Sequence, residues 1–127
     1  MNMKEITRKE LLKSAHILSL LGQPNRLQIA LALGEHEACV CHLEACMGIR
    51  QATISQHLMA LRDAGLVTTN RDGKNIFYRL ARPDILTIIE QTSLLTGANF
   101  DDLKNLSLKK FENCPCPHCS PDKENCG

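Results

Sequence analysis

The stretch "QATISQHLMALRDAGLVTTNRDGKNIFYRL", residues 51–80, decides the fold. Its first half has a helical period, because Ile54, Leu58 and Leu61 recur at steps of four and three. Near Gly65 the period becomes that of an extended chain, and Asp-Gly in "RDGK" between two β-prone runs is a strong signal for a hairpin. The stretch therefore predicts a helix followed directly by a β-hairpin.

Helical patterns surround this stretch on both sides. The predicted helices before it cover residues 4–21, Pro24 to Gly34 and about Cys39 to Met47. After it, Pro83 opens a last long helix, and a short one can follow around Phe100–Leu106. A short helix, a tight turn, a longer helix and a hairpin in this order predict a mainly α fold with a β-hairpin wing, the winged helix-turn-helix.

The composition divides the chain into one domain and a tail. We expect residues 1–106 to form the domain and residues 107–127 a Cys/Pro-rich tail, since the final 14 residues hold four of the seven Cys and three of the five Pro. No apolar run approaches the ~20 residues of a membrane span, and no apolar stretch follows the N-terminal charges. We therefore expect a cytoplasmic protein without a membrane partner.

Charge and side-chain chemistry point to double-stranded DNA. The net charge is only +1, but residues 49–82 carry six basic side chains against two acidic ones. In a winged helix-turn-helix the second helix enters the major groove, where Gln, Ser and Thr meet base edges, while basic residues at the hairpin suit phosphates. We predict DNA contacts from Gln51, Thr53, Ser55, Gln56, His57, Arg71 and Lys74. The sequence shows no nucleophile–base pair, phosphate loop or catalytic carboxylate pair, so an enzyme is not expected.

From "LGQPNRLQIALAL" through "CVCHL", "ISQHLMALRDAGLV" and "GKNIFYRL", residues 21–80 resemble the ArsR/SmtB family of metal-responsive bacterial repressors. The resemblance implies a homodimer joined through its first and last long helices. It also implies that the ion-free form sits on an inverted-repeat operator and is released by an inducing ion. Gln23 departs from the usual short helix cap before the proline, which should weaken the cap slightly.

The stretch "EACVCHLEACMG", residues 37–48, matches the branch of this family that binds soft ions, with Cys39 and Cys41 at the two shared ligand positions. Residues i and i+2 point to nearly opposite faces of a helix. At a helix N-terminus the first residue is not yet helical, so the two sulfurs can converge on one ion, and the helix dipole favours thiolates there. An ion bound at this point would distort the helix that supports the recognition helix.

Two thiolates alone make a poor site, because Cd²⁺, Pb²⁺, Zn²⁺ and As(III) need three or four ligands. The third Cys of arsenic-type members is replaced by Glu44, and Cys46 is expected to pack in the core. The candidates for the missing ligands are Cys114, Cys116 and Cys119, with Cys126 and His118 nearby. The tail cysteines could instead hold an ion by themselves, be redox-active or stay disordered.

Other metal sites have less support. The last long helix has no His and only Asp84 and Glu90 as acids, which argues against the family's second, zinc-type site. His42, beside Cys41, is the one histidine retained as an auxiliary ligand.

Three functions remain open from the sequence. The first is a repressor released from DNA by a thiophilic metal or metalloid ion. The second is a repressor of the same fold that senses oxidation through its thiols. The third is a metal-buffering protein whose working part is the tail.

Overall fold

The computed structural model describes residues 3–104 of the 127-residue chain. Within that range the elements are α1 (Met3–Leu21), α2 (Pro24–Leu33), α3 (Val40–Met47), α4 (Gln51–Asp63), β1 (Val67–Asp72), β2 (Asn75–Leu80), α5 (Asp84–Thr96) and α6 (Phe100–Lys104). This order confirms the predicted winged helix-turn-helix. The predicted tail, residues 107–127, and the end of the last short helix lie outside the described residues, so the domain boundary stays a prediction.

The core is aliphatic and lies where α2, α3, α4, α5 and β1 meet. Ile54, Leu58 and Leu61 are buried, as their spacing on α4 predicted. They pack into one cluster with residues such as Ile29 of α2 and Leu43 of α3. At about 1.5–3 kcal/mol for each large aliphatic side chain buried, this cluster holds α3 and α4 in fixed positions.

The N-terminus of α2 is capped by Gln23. Gln23 precedes Pro24 in an extended conformation, and its side-chain oxygen accepts a 3.0 Å hydrogen bond from the backbone N–H of Arg26. This is the bond that a shorter cap residue would accept. Gln23 therefore supplies a side-chain cap to α2, and the slight weakening expected from the sequence stays a prediction.

The wing is an antiparallel pair in which Val67 faces Leu80 at one end and Asp72 faces Asn75 at the other. The two residues of its turn are Gly73 and Lys74, not the Asp-Gly pair that the sequence signal centred on. Gly73 has a φ of 62° and Lys74 does not have a positive φ, the pattern of a type II′ turn, whose first central position favours glycine.

Large apolar side chains are exposed on α1 and at the end of α5. Leu11 and Leu18 are each 58% exposed, and Leu94 and Leu95 are 68% and 89% exposed. Within a single chain these four side chains stay largely uncovered. No described helix is long and apolar enough to span a membrane.

Candidate thiol site and nucleic-acid interface

Cys39 and Cys41 meet at the start of α3. Cys39 is the N-cap residue, with extended backbone angles (φ −84°, ψ 166°), and Cys41 lies in the first turn. Because Cys39 is not helical, its side chain escapes the i, i+2 divergence, and the two Sγ atoms lie 3.2 Å apart. The convergence predicted for a helix start is therefore present in the structure.

The two thiols differ in accessibility. Cys39 is 2% exposed, whereas Cys41 is half-buried. Two sulfurs bound to one tetrahedral Zn²⁺ at about 2.3 Å would lie about 3.8 Å apart, compared with 3.2 Å here.

The thiol pair opens into a cavity of about 220 Å³ between α3, α4 and the wing. We call it the thiol cavity. Its lining residues are Cys39, Val40, Cys41, Gln51, Ser55, Lys74, Ile76 and Tyr78. Three of the predicted DNA contacts, Gln51, Ser55 and Lys74, therefore share one cavity with two of the predicted metal ligands, Cys39 and Cys41.

The wing is attached to the start of α3 by backbone pairing. Ala38 and Tyr78 form an isolated antiparallel bridge, in which the Ala38 N–H donates to the Tyr78 carbonyl at 2.9 Å and the Tyr78 N–H donates to the Ala38 carbonyl at 2.8 Å. Ala38 is buried and directly precedes Cys39. The bridge fixes the position of the thiol pair relative to the wing.

The predicted contacts on α4 point in three directions. Gln56 is exposed on the side of the helix opposite the buried Leu58 face. Gln51 and Ser55, one turn apart, face the thiol cavity, whereas Thr53 and His57 are half-buried on the other side of α4. Gln51 and Gln56 are thus the exposed members of this set, and Gln56 is the one that does not line the thiol cavity.

His57 contacts α2. Its Nδ1 accepts a 3.2 Å hydrogen bond from Nε of Arg26. Burial, and secondarily the nearby Arg26 charge, lower the pKa of His57 below its usual 6.5. A neutral imidazole that accepts from Arg26 joins α2 to α4, which supports a packing role over a phosphate contact.

One face of the wing lies against the thiol cavity. Ile76 and Tyr78 alternate along β2 and share one side of the hairpin, and Lys74 of the turn lines the same cavity. Arg71 is exposed on β1, where it pairs in register with Ile76. The sequence reasoning missed Val40, Ile76 and Tyr78 as cavity residues, although the period of two from Lys74 onward could have indicated the last two.

Within residues 3–104, no group of three or more His, Cys, Asp or Glu side chains could hold a metal ion. His42 is buried in α3. Cys46 is half-buried against the core rather than fully buried, and this burial raises the pKa of its thiol. The predicted ligands Cys114, Cys116 and Cys119 lie outside the described residues.

Comparison with known proteins agrees with this geometry. Residues 23–69 match the family described as "Bacterial regulatory protein, arsR family". The Biofilm growth-associated repressor of Agrobacterium fabrum is 47% identical over 76 residues, which are 60% of this chain and 65% of that protein. The Transcriptional activator HlyU of Vibrio cholerae is 33% identical over 90 residues, 71% of this chain and 82% of that protein. The alignments to several curated relatives span just under two thirds of their length.

Solved structures extend the likeness over most of the described chain. Reduced HlyU from Vibrio cholerae superposes with a TM-score of 0.64 at 31% identity, covering 72% of this chain and 96% of that one. The transcriptional repressor BigR from Xylella fastidiosa gives 0.65 at 35% identity, with 77% and 100% covered. The chain therefore belongs to the ArsR/SmtB family of bacterial regulatory proteins and has its winged helix-turn-helix fold.

Proposed function

We propose that this protein is a DNA-binding transcriptional repressor that leaves its operator when Cys39 and Cys41 bind a thiophilic ion, such as Cd²⁺, Pb²⁺, Zn²⁺ or As(III). The observation that carries the proposal is the 3.2 Å sulfur pair facing the same cavity as Gln51, Ser55 and Lys74. Soft ions prefer thiolate ligands. An ion held there would lie next to side chains suited to contact DNA.

The exposed apolar surface on α1 and α5 supports a homodimer. Leu11, Leu18, Leu94 and Leu95 would otherwise leave four large aliphatic side chains in water. A relative from Mycobacterium bovis is described as having a homodimeric winged helix-turn-helix DNA-binding domain. A two-fold dimer of this chain would read an inverted repeat, with one recognition helix in each half-site.

The tail is proposed to complete the ion site. Two thiols leave one or two ligand positions to fill, and Cys114, Cys116 and Cys119 are the thiols in the sequence that suit them. They could come from the same chain or from the partner in a dimer. The alternative is a separate tail site that holds an ion without affecting DNA binding.

One experiment separates these ideas. An operator would first be selected from random duplexes by the full-length protein, and release would then be measured by fluorescence anisotropy during titration with each ion in reductant. We expect Cys39→Ser and Cys41→Ser to abolish release and Cys46→Ser to leave it unchanged. Deletion of residues 113–127 should raise the ion concentration needed for release. Unchanged release by the truncated protein would reject the shared site, and no release of the parent by any ion would reject ion sensing.

Thiol oxidation is a second candidate function, favoured by the 3.2 Å separation of the Cys39 and Cys41 sulfurs. One solved relative, HlyU, is described in a reduced form. A ring closed between residues two apart would be strained, so oxidation would need other partners or a different product. Release of operator by hydrogen peroxide, but by none of the ions in reductant, would favour this function. A metal-buffering protein would bind no specific duplex at all.

A further inference from the structure

Arg26 is a half-buried cation that uses only part of its hydrogen-bonding capacity. Within residues 3–104 its side chain makes one hydrogen bond, from Nε to Nδ1 of His57 at 3.2 Å. A guanidinium carries five N–H groups, so the four on the two terminal nitrogens remain for another acceptor. No carboxylate of the described residues forms an ion pair with Arg26. The described part of the chain therefore supplies no counter-ion for this charge.

The bond to His57 fixes the direction of those four N–H groups. It joins α2 to α4, and both helices are anchored in the core, through Ile29 on α2 and Leu58 on α4. The planar fork of the guanidinium is thus held in place before any ligand arrives. A fork of this kind matches the oxygens of a carboxylate or a phosphate, which it can bind through two parallel hydrogen bonds.

Arg26 lies on the side of α4 that faces away from the thiol cavity. Gln51 and Ser55 line that cavity together with Lys74, whereas His57 is two residues further along α4 than Ser55. Two residues correspond to a rotation of about 200° around a helix. The cations Arg26 and Lys74 therefore flank α4 on nearly opposite sides.

We propose that Arg26 binds a phosphate of the duplex on the side of α4 away from Lys74, with its guanidinium positioned by His57. This rests on the proposed DNA binding and adds a contact residue that the sequence did not indicate. A helix in the major groove, which is about 12 Å wide, lies between two phosphodiester backbones. A cation on each flank of α4 would meet one backbone each, and such contacts fix the register of a helix on the bases.

The first test measures how affinity depends on salt. Arg26→Gln and Arg26→Met would be titrated by fluorescence anisotropy against the selected operator and an unrelated duplex at several salt concentrations. Loss of one phosphate contact should weaken binding to both duplexes, by roughly fivefold to tenfold at about 0.1 M salt. The slope of log affinity against log salt should fall by about 1.

Arg82→Gln is the matched control, because Nη2 of Arg82 already donates to the Asp84 carboxylate at 2.6 Å. Its salt slope should equal that of the parent. Parental slopes in both Arg26 variants would overturn the proposal.

Urea denaturation separates a DNA contact from a purely structural role of Arg26. We expect the urea midpoint of both variants to stay near that of the parent, because no ion pair is lost. A lower midpoint combined with a parental salt slope would show that Arg26 only packs α2 against α4, and would overturn the proposal.

The second test locates the phosphate. Single phosphates of the operator would be replaced by neutral methylphosphonates, and each duplex would be measured with the parent, Arg26→Gln and Lys74→Ala. At the phosphate that Arg26 contacts, the replacement should weaken the parent but should not weaken Arg26→Gln further. That phosphate should lie on the opposite backbone from the one coupled to Lys74. The same phosphate for both residues, or none coupled to Arg26, would overturn the proposal.

A third test uses the unaltered protein and does not depend on how the variants fold. Arginines would be modified with 1,2-cyclohexanedione, with and without saturating operator, and quantified by mass spectrometry. Operator should slow modification of Arg26 at least about tenfold, as expected for a group covered at equilibrium, and leave Arg82 unchanged. Equal modification of Arg26 in both samples would overturn the proposal. Failure of Arg26 to react in the free protein would do the same, because its terminal nitrogens would then be inaccessible.

The two levels of inference fail differently. If the full-length protein selects no duplex, the proposed repressor is wrong. If it selects an operator and Lys74→Ala lowers the salt slope while the Arg26 variants do not, the repressor stands and the Arg26 contact is wrong.

Discussion

Ala38 and Tyr78 donate one backbone hydrogen bond to each other, at 2.9 and 2.8 Å, and thereby join the start of α3 to the wing. The residue after Ala38 is the buried thiol Cys39, and the side chain of Tyr78 lines the thiol cavity. The thiol pair, the wing and the recognition helix α4 are consequently held together as one unit. The following predictions test that unit and the surfaces around it.

Amide hydrogen exchange should detect the bridge. We expect the amides of Ala38 and Tyr78 to exchange much more slowly than that of Lys74 in the wing turn, because the first two donate buried backbone bonds. If the ion acts by occupying the cavity, both amides should stay protected when Cd²⁺ is added. Loss of their protection would instead indicate that the ion distorts the start of α3. If the amides of Ala38 and Tyr78 exchange as fast as the amide of Lys74 in the absence of ion, the bridge is not present in solution.

The apolar surface on α1 and α5 should be a dimer interface. Leu95 is 89% exposed in the single chain, so Leu95→Glu should leave the monomer fold intact. A dimer would lose the burial of two leucines, together about 3 kcal/mol or more than a hundredfold in the dimer Kd. Sedimentation equilibrium would measure the change. Gln91→Glu, at an exposed position on the same helix, controls for the added charge. If the two variants have the same dimer Kd, Leu95 does not lie in the interface.

The sequence predicted the architecture because the deciding signals are local. Helix periods, glycines at helix ends and the Asp-Gly hairpin signal lie within about 15 residues of the structure they specify, and α4 with its buried Leu58 and Leu61 followed from them. The convergence of Cys39 and Cys41 was predictable for the same reason, since it depends on one helix start.

What the sequence did not predict depends on long-range pairing. The thiol cavity needs Ile76 and Tyr78 of the wing to meet Cys39 across about 40 residues of chain, and nothing local specifies that contact. The partner of His57 was missed similarly, because Arg26 lies on another helix. The exposure of Leu95 also depends on which surfaces the remaining fold leaves uncovered.

Gln56 should read a base. It is exposed on the face of α4 opposite the core, where a glutamine can pair with adenine in the major groove. Gln56→Ala should reduce the binding free energy for the preferred operator by about 1–3 kcal/mol. The reduction should be much smaller for operators that are changed at the contacted base pair. Anisotropy titrations on a set of single-base operator variants would measure this. Undiminished discrimination by Gln56→Ala would mean that α4 does not read bases through this side chain.

Lys74 should contribute to DNA affinity without contributing to sequence preference. It is exposed in the wing turn and suits a phosphate contact, so Lys74→Ala should weaken binding to all duplexes about equally. The slope of log affinity against log salt should fall by about 1. Lys13→Ala on α1 provides a matched control that should leave the slope unchanged. A sequence-dependent loss for Lys74→Ala would contradict a purely electrostatic role.

Acid should destabilise the fold through His57. Its pKa is lowered in the folded protein by burial and by Arg26, whereas in the unfolded chain it lies near 6.5. Above about pH 6.5 both states are neutral at this group, and no energy difference arises. As the pH falls below that value, the unfolded chain takes up the proton first, so the free energy of unfolding decreases until the folded pKa is also passed.

His57→Gln tests this assignment, because a glutamine oxygen can accept from Nε of Arg26 but does not titrate. Urea denaturation between pH 7.5 and pH 5 should show a smaller loss of stability in this variant than in the parent. His16→Gln, at an exposed position of α1, should follow the parent curve. If His57→Gln also follows the parent curve, the acid sensitivity arises elsewhere, and the Arg26–His57 bond does not set the protonation of this imidazole.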